Sequence, residues 1–152
     1  AAEGSLSLLI KKITGEFVEP FTLECFHVIA SKTASQPAPS QATIKISVNG
    51  EEELTAAEGN GPINALDNAL RKALTKFYPQ LDGMHLTDFK VRIVEGSEGT
   101  AAKVNATIES QDEDDTWTTI GVSENVIEAS WLALVDSLQY KLSKDRDRMN
   151  NR

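Results

Sequence analysis

Apolar and polar positions alternate along the first half of the chain before the pattern changes to a helical period. Residues 44–48 alternate strictly, which predicts a half-buried strand. A more continuous apolar run at residues 21–30 predicts a strand before it. The Asn49-Gly50 pair predicts a tight turn into a third strand at residues 51–57.

A helix is predicted to follow these three strands. Pro62 suits the first helical position, because its missing N–H would have no partner there, and Tyr78-Pro79 ends the pattern. The predicted inward face comprises Ile63, Leu66, Leu70, Ala73, Leu74 and Phe77, and the predicted solvent face comprises Asp67, Arg71, Lys72 and Lys76.

The same order of patterns recurs in the second half. Residues 86–95 predict a strand with one apolar face, residues 102–108 alternate again, and residues 117–122 return. The acidic loop at 112–115 is predicted to be a solvated hairpin tip, and Ser123 is predicted to cap the last helix. The apolar positions are Phe89, Val91 and Ile93 in the strand, and Ile127, Trp131, Leu134, Leu138 and Leu142 in the helix.

The two halves repeat in their residues as well as in their pattern. Five helical positions recur at an offset of 64, and three strand positions recur at an offset of 60, which predicts a longer second hairpin loop. One three-stranded sheet with one helix cannot cover both its faces, so the sequence predicts an α+β fold of two pseudo-symmetric β-β-β-α units with antiparallel sheets, at residues 17–80 and 84–142. The strand pairs are Ile44/Val104, Ile46/Ala106 and Val48/Ile108, and the helical pairs are Ile63/Ile127, Ala65/Ala129, Ala69/Ala133, Leu70/Leu134 and Leu74/Leu138.

The two ends of the chain have their own patterns. Residues 4–15 predict a short amphipathic helix without an obvious partner, which looks like the end of a larger chain. Residues 143–152 form a charged tail that is predicted to fray. The apolar face of the opening helix is predicted to comprise Leu6, Leu9, Ile10 and Ile13.

Composition limits the classes of partner. The formal charge is -8 with no basic cluster, which argues against a surface for nucleic acid or anionic membranes. No apolar run reaches the roughly 20 residues that span a bilayer, and no signal peptide opens the chain, so a cytoplasmic protein is predicted. The single cysteine, Cys25, lies in an apolar strand and is predicted to be a buried, inert thiol.

Catalytic patterns are absent from the sequence. His27 and His85 are far apart and lack metal-ligand spacing with cysteine or carboxylates. There is no Ser/His/Asp signature, no phosphate-binding loop and no dinucleotide fingerprint. The acidic loop lacks the glycine and terminal glutamate of a calcium loop. We therefore expect neither catalytic residues nor a metal site in this chain.

The turn before the first long helix has the chemistry of an anion site. Gly59 and Gly61 are expected to allow backbone angles closed to other residues and close approach of a ligand. The helix start behind them offers free N–H groups and a partial positive charge, which suit a carboxylate. A plain strand–turn–helix junction is the alternative interpretation of these residues alone.

Several motifs, in order, resemble one family. They are Gly59-Asn60-Gly61-Pro62-Ile63-Asn64-Ala65-Leu66, then Leu86-Thr87-Asp88-Phe89-Lys90-Val91-Arg92-Ile93, then Gly121-Val122-Ser123 with Ile127-Glu128-Ala129-Ser130-Trp131. These motifs closely resemble the C-terminal regulatory domain shared by 2-isopropylmalate synthases and citramalate synthases. The resemblance covers residues 17–142, and residues 1–16 look like the end of the linker subdomain that precedes it.

The resemblance implies a regulatory rather than a catalytic chain. The catalytic part of the family, absent here, is a metal-dependent barrel that condenses acetyl-CoA with a 2-oxo acid, so a divalent metal and acetyl-CoA are expected only in the full-length enzyme. The family domain forms a homodimer and binds a branched-chain amino acid at the dimer interface, which inhibits the enzyme from a distance. Leucine acts on isopropylmalate synthases and isoleucine on citramalate synthases.

The resemblance and the residue chemistry together give a set of expected effector contacts. N–H groups around Gly61 and Ser123 suit the ligand carboxylate, and Asn64 with nearby carbonyls suits its ammonium group. An apolar slot is expected for the side chain. The expected contacts are Gly59, Asn60, Gly61, Ile63, Asn64, Leu86, Phe89, Ile93, Thr100, Val104 and Ser123.

One departure from the common family form favours the citramalate branch. Many relatives have Asp where Asn60 and Asn64 stand, and Asn keeps an acceptor oxygen but loses the charge. With the Gly121-Val122-Ser123 junction, this form predicts isoleucine as the effector. A leucine-binding domain of 2-isopropylmalate synthase and a freestanding amino-acid-binding or assembly domain are the alternatives.

Overall fold

The computed structural model describes residues 2–29, 39–94 and 102–151, which form two compact units. The first unit is Glu19–Leu81, and the second comprises the described residues of Ala1–Val18 and Asp82–Arg152. None of the described helices is both long enough and apolar enough to cross a bilayer. The elements in chain order are α1 (Glu3–Thr14), β1 (Thr22–Ile29), β2 (Ser40–Val48), β3 (Glu51–Gly59), α2 (Pro62–Leu74), a 3-10 turn (Pro79–Gly83), β4 (His85–Val94), β5 (Lys103–Gln111), β6 (Thr116–Ser123) and α3 (Val126–Asn150).

The first unit is a three-stranded antiparallel sheet in the order β1-β2-β3 with α2 packed on one face. The alternating side chains of β2 face the helix and are buried, as the pattern predicts. Asp67 was predicted to lie in solvent, and this is wrong: it is buried, and its Oδ1 accepts a hydrogen bond from Arg71 Nε at 2.9 Å. The guanidinium one turn away makes that burial tolerable.

The second unit repeats this architecture with the order β4-β5-β6 and α3. Both tryptophans lie in its core, with Trp117 fully buried and Trp131, a predicted inward position, nearly so. A Cβ at Gly121 would lie 2.0 Å from the carbonyl oxygen of Ala129, so this glycine lets α3 lie directly against β6. The predicted α+β fold of two β-β-β-α units is confirmed.

The register of the strands corrects the alignment of the two halves. Phe26 lies opposite Ile44 in the first sheet, and Phe89 lies opposite Ile108 in the second. Ile44 therefore corresponds to Ile108, an offset of 64 rather than the predicted 60. The second hairpin does leave four residues outside its ladder against two in the first. The error arose because alternating small apolar residues match equally well after an even shift.

Each first strand carries a β-bulge at the corresponding place. The register shifts between Leu23 and Cys25 in β1, and between Leu86 and Asp88 in β4. Beyond the bulge in β1, Cys25 lies opposite Lys45 on the sheet face away from the helix, and it is exposed. The predicted burial of this thiol is therefore wrong, because its place in an apolar run does not show which sheet face it occupies, and the bulge changes that face.

Helix α1 exists as predicted but packs by a different face. Gly4 and Leu8 are buried where α1 packs on α3 and β6 of the same unit, whereas the predicted apolar face is solvent-exposed. Glu3 Oε1 accepts the backbone N–H of Thr118, and Ser5 Oγ accepts that of Ile120. Two polar side chains thus accept hydrogen bonds from backbone N–H groups on the free edge of β6. The spacing of apolar residues could not predict this role, because polar side chains carry it. The exposed residues are Leu6, Leu9, Ile10 and Ile13.

The acidic loop was predicted to be a solvated hairpin tip, which holds for Glu113 and Asp114 but not for Asp112. The charged tail was predicted to fray, which is wrong, because α3 continues to Asn150. Asp112 is buried, and its carboxylate accepts hydrogen bonds from Lys141 and Lys144. Arg148 Nη1 bonds Asp114 at 2.6 Å. These ion pairs hold the last turns of α3 against the hairpin, so opposite charges far apart in sequence neutralise one another.

Candidate functional site

The turn between β3 and α2 is built around a close approach of Gly59 to the start of the helix. A Cβ at Gly59 would lie 2.4 Å from the backbone nitrogen of Ala65 and 2.7 Å from the carbonyl carbon of Asn64. The backbone angle of Gly59 is not in the left-handed region. Glycine is therefore needed here for space, and the predicted need for unusual backbone angles is wrong.

Gly61 differs from Gly59, because there is free space where its Cβ would lie. It has φ of −168°, an extended angle that any residue adopts, and a Cβ there would meet nothing within 4 Å. As N-cap of α2 it offers no side chain, and no side chain caps this helix start. No side chain of the described residues therefore accepts a hydrogen bond from the first-turn N–H groups of Ile63 and Asn64, which lie at the positive end of the helix dipole.

Asparagine side chains hold this turn in place. Asn64 Oδ1 accepts the backbone N–H of Asn60 at 3.1 Å, and Asn68 Nδ2 donates to the carbonyl oxygen of Glu58 at 2.9 Å. The Asn64 oxygen is therefore partly engaged within the protein, and its remaining lone pair receives only a long contact of 3.4 Å from Asn68. Asn68 has a structural role here that the sequence did not indicate.

A groove lies next to this turn, on strands β2 and β3. Its volume is about 340 Å³, which is in the range of small-ligand pockets. Gln41 and Glu58 are cross-strand partners at its end, and Glu58 directly precedes Gly59. These polar residues were missing from the predicted contacts, because nothing in the sequence shows which strand residues share an open surface. The groove is lined by Gln41, Ala42, Thr43, Ala56, Ala57 and Glu58.

The start of α3 differs from that of α2, although the two junctions correspond in the repeat. Asn125 is the N-cap, and its Oδ1 accepts the N–H groups of Ile127 and Glu128 at 2.8 and 3.1 Å. The prediction that Ser123 caps this helix is wrong by two residues. Ser123 Oγ instead accepts the N–H of Asn125 and bonds Glu128. Three of the N–H groups near Ser123, those of Asn125, Ile127 and Glu128, thus already have acceptors within the protein.

The predicted apolar contacts of the second unit fall into two places. Ile93 lies opposite Val104, and Val104 lies opposite Ser123, so these three form one row across the sheet. Phe89 shares the face of Ile93 on β4, and Leu86 lies seven residues from Ile93, about 20 Å away at the rise of a strand. One amino acid cannot contact both ends within this unit. Thr100 lies outside the described residues.

These apolar residues also differ in the fraction of their surface that is exposed to solvent. Phe89 is 40% exposed and Ile93 is 70% exposed, so both are open to a ligand or a partner. Val104 is only 6% exposed and belongs to the core. In the first unit, the structure brings together Gly59, Asn60, Gly61, Ile63 and Asn64.

Comparison with known proteins identifies the family of this chain. Residues 1–142 match the family described as LeuA allosteric (dimerisation) domain. The chain is 54% identical over 97% of its length to an (R)-citramalate synthase of Aquifex aeolicus, and 50% identical over 96% to that of Geobacter sulfurreducens. It is 47% identical over 93% to that of Synechocystis. The chain spans 28%, 28% and 27% of these relatives. This chain belongs to the LeuA allosteric (dimerisation) domain family.

Proposed function

We propose that this chain is the regulatory domain of a cytoplasmic citramalate synthase, and that it binds isoleucine and feedback-inhibits the enzyme. The relatives at 47% identity or more that cover nearly the whole chain are named (R)-citramalate synthases. The chain corresponds to little more than a quarter of each, so the condensation of acetyl-CoA with a 2-oxo acid, and the divalent metal it uses, are assigned to a part outside this chain.

One observation carries the assignment of the binding place. The two helix starts correspond in the repeat, yet α3 is capped by Asn125 and α2 is left without a side-chain cap at Gly61. A protein helix normally satisfies its first N–H groups with a side chain, water or a ligand. An α-carboxylate has the charge and acceptor geometry for this position.

The ammonium group of the ligand needs oxygen acceptors nearby. The resemblance names Asn64, whose Oδ1 is partly occupied by Asn60. Glu58 adds a full negative charge in the adjacent groove, and its residue precedes the turn directly. A carboxylate there replaces the charge that Asn60 and Asn64 lack relative to the common family form.

Isothermal titration of this chain with isoleucine, leucine and valine tests the proposal. We expect isoleucine to bind more tightly than the other two. Tighter binding of leucine would favour the 2-isopropylmalate synthase alternative. Absence of binding by all three would contradict amino-acid regulation and leave an assembly domain.

A further inference from the structure

Two exposed asparagines that precede glycine lie at the two ends of β3. Asn49-Gly50 forms the hairpin turn before the strand, and Asn60-Gly61 lies between the strand and α2. An asparagine side chain can react with the backbone nitrogen of the next residue, and glycine favours this reaction because it has no Cβ to obstruct the approach. Each pair is therefore a place where the chain could modify itself.

The peptide unit between Asn60 and Gly61 makes no hydrogen bond with a described residue. Strand β3 ends at Gly59 and α2 begins at Pro62, and no described group bonds the carbonyl oxygen of Asn60 or the N–H of Gly61. Only the backbone N–H of Asn60 is bonded, to Asn64, which leaves its carboxamide without a partner among the described residues. A Cβ at Gly61 would meet nothing within 4 Å. The carboxamide and the peptide nitrogen that attacks it are therefore free to rotate.

The hairpin pair is held more tightly. Asn49 and Gly50 have φ of 51° and 82°, the left-handed angles of a tight turn, and the ladder closes directly beside them at Val48 and Glu51. Rotation of the backbone between Asn49 and Gly50 would break this turn. The hairpin also lacks the helix dipole that, at Gly61, favours the negative charge left when the peptide nitrogen loses its proton.

We propose that Asn60-Gly61 is a site of spontaneous deamidation, which changes the charge of the turn before α2. The Gly61 nitrogen gives its proton to water or hydroxide and bonds to Cγ of Asn60. The Cγ–Nδ2 bond breaks, the leaving nitrogen takes up a proton and departs as ammonia, and a succinimide ring remains. Water then opens the ring at either of its carbonyl carbons. One opening gives aspartate, and the other gives isoaspartate, whose main chain is longer by one atom.

Both products change the turn to which the effector is assigned. Each puts a carboxylate at the positive end of the α2 dipole. Isoaspartate also lengthens a turn in which Gly59 already lies against the backbone of Asn64 and Ala65, so the start of the helix must shift. The consequence for the effector rests on the proposed function, whereas the reaction itself does not.

Peptide mapping by mass spectrometry measures both pairs in one experiment. The chain is incubated at mildly alkaline pH and cleaved with an endopeptidase specific for glutamate, because cleavage after Glu58 separates the two pairs. In the folded chain we expect Asn60 to react faster than Asn49. In urea we expect the two rates to converge, because glycine follows both asparagines. Faster reaction of Asn49 in the folded chain, the same ratio of rates in urea, or an Asn60 that reacts only in urea would overturn the proposal.

Gly61→Ala is the matched variant, because its Cβ enters open space in the fold yet lies beside the reacting nitrogen. We expect it to slow the reaction at Asn60 by about tenfold, a rise of about 1.4 kcal/mol in activation free energy, and to leave Asn49 unchanged. An unchanged rate at Asn60 would contradict the proposed reaction. Saturating isoleucine should slow the reaction of the wild type at Asn60 and not at Asn49. A lack of protection, with Asn60 still reactive, would count against the proposed function and leave the modification site in place.

Discussion

Thr119 donates its side-chain hydroxyl to the main-chain carbonyl oxygen of Ala133 at 2.8 Å, in the buried layer between β6 and α3. The first unit contains the same bond, from Thr55 to the carbonyl oxygen of Ala69, also at 2.8 Å. Both donors and both acceptors are related by the offset of 64 residues. The repeat therefore preserves a specific bond between strand and helix, and not only the apolar pattern.

Thr119→Val should destabilise the protein by about 1 kcal/mol, the net value of one buried hydrogen bond. The side chain keeps its shape, so packing changes little. Urea unfolding followed by circular dichroism measures the loss. Thr107→Val, a half-exposed position on the outer face of the same sheet, is the control and should change stability by less than about 0.5 kcal/mol. Equal effects at both positions would contradict the role of this bond.

Gly59→Ala and Gly61→Ala form a matched pair at the turn before α2. The first puts a Cβ 2.4 Å from a backbone nitrogen, which forces the helix start to move, so we expect a loss of about 1–3 kcal/mol. The second enters open space at an extended backbone angle, so we expect a loss of at most about 1 kcal/mol, because alanine is a poorer N-cap residue than glycine. Thermal unfolding separates the two, and similar losses would show that the open space at Gly61 is wrongly described.

We expect Asp112 to make the stability of the protein sensitive to acid. Burial alone would raise the pKa of this carboxyl, but hydrogen bonds from Lys141 and Lys144 and from the backbone N–H groups of Asp115 and Asp114 hold its pKa well below the ordinary value of 3.8. A carboxyl with a lowered pKa adds stability above its unfolded pKa and loses it as the pH falls through the folded value. Stability should therefore fall as the pH drops from about 5 through the acid range.

Asp112→Asn removes this contribution. We expect it to cost about 2–3 kcal/mol near neutral pH, because two lysines lose a buried counter-charge, and to flatten the loss of stability in acid. Glu113→Gln is the control at the exposed neighbouring position and should leave the pH profile unchanged. Urea unfolding at pH 7, 5 and 3 provides the comparison. An Asp112→Asn profile parallel to that of the wild type would contradict the assignment.

The elements and their order could be predicted from the sequence, because alternation and helical spacing are local. The bonds between distant parts could not. Lys141 and Asp112 are 29 residues apart, and nothing in either segment shows that they meet. Likewise, Ser5 bonds the edge of a strand 115 residues away. With this polar side of α1 against the strand, the predicted apolar face of the helix points outward.

The candidate site could be predicted only in part, because local closeness is visible in the sequence and contacts between distant segments are not. Residues 59–64 are contiguous, so their closeness follows from the chain itself. The apolar wall was taken from separate strands, where register decides which side chains meet, and Leu86 and Ile93 lie at opposite ends of β4. Asn125 was overlooked as the helix cap because Ser123, two residues earlier, has an equally good capping side chain.

Selectivity between isoleucine and leucine should depend on Ile93, which stays a predicted wall of the effector slot. The two ligands are isomers, so shape rather than total burial must discriminate between them. A pocket that fits one should misfit the other by about 1–3 kcal/mol. Paired titrations of the wild type and Ile93→Ala with both amino acids measure this difference. Unchanged affinities in Ile93→Ala would remove this residue from the wall, and a wild type that prefers leucine would contradict the citramalate branch.

The most direct test of the central claim is calorimetric titration of isoleucine into the wild type and into Gly61→Asp. The new carboxylate would occupy the open space at the start of α2 and repel the ligand carboxylate, while the extended backbone angle lets the fold accept it. We predict heat of binding for the wild type and none for Gly61→Asp, with the same circular dichroism spectrum for both. Unchanged affinity in Gly61→Asp would contradict the claim that the effector binds at this turn.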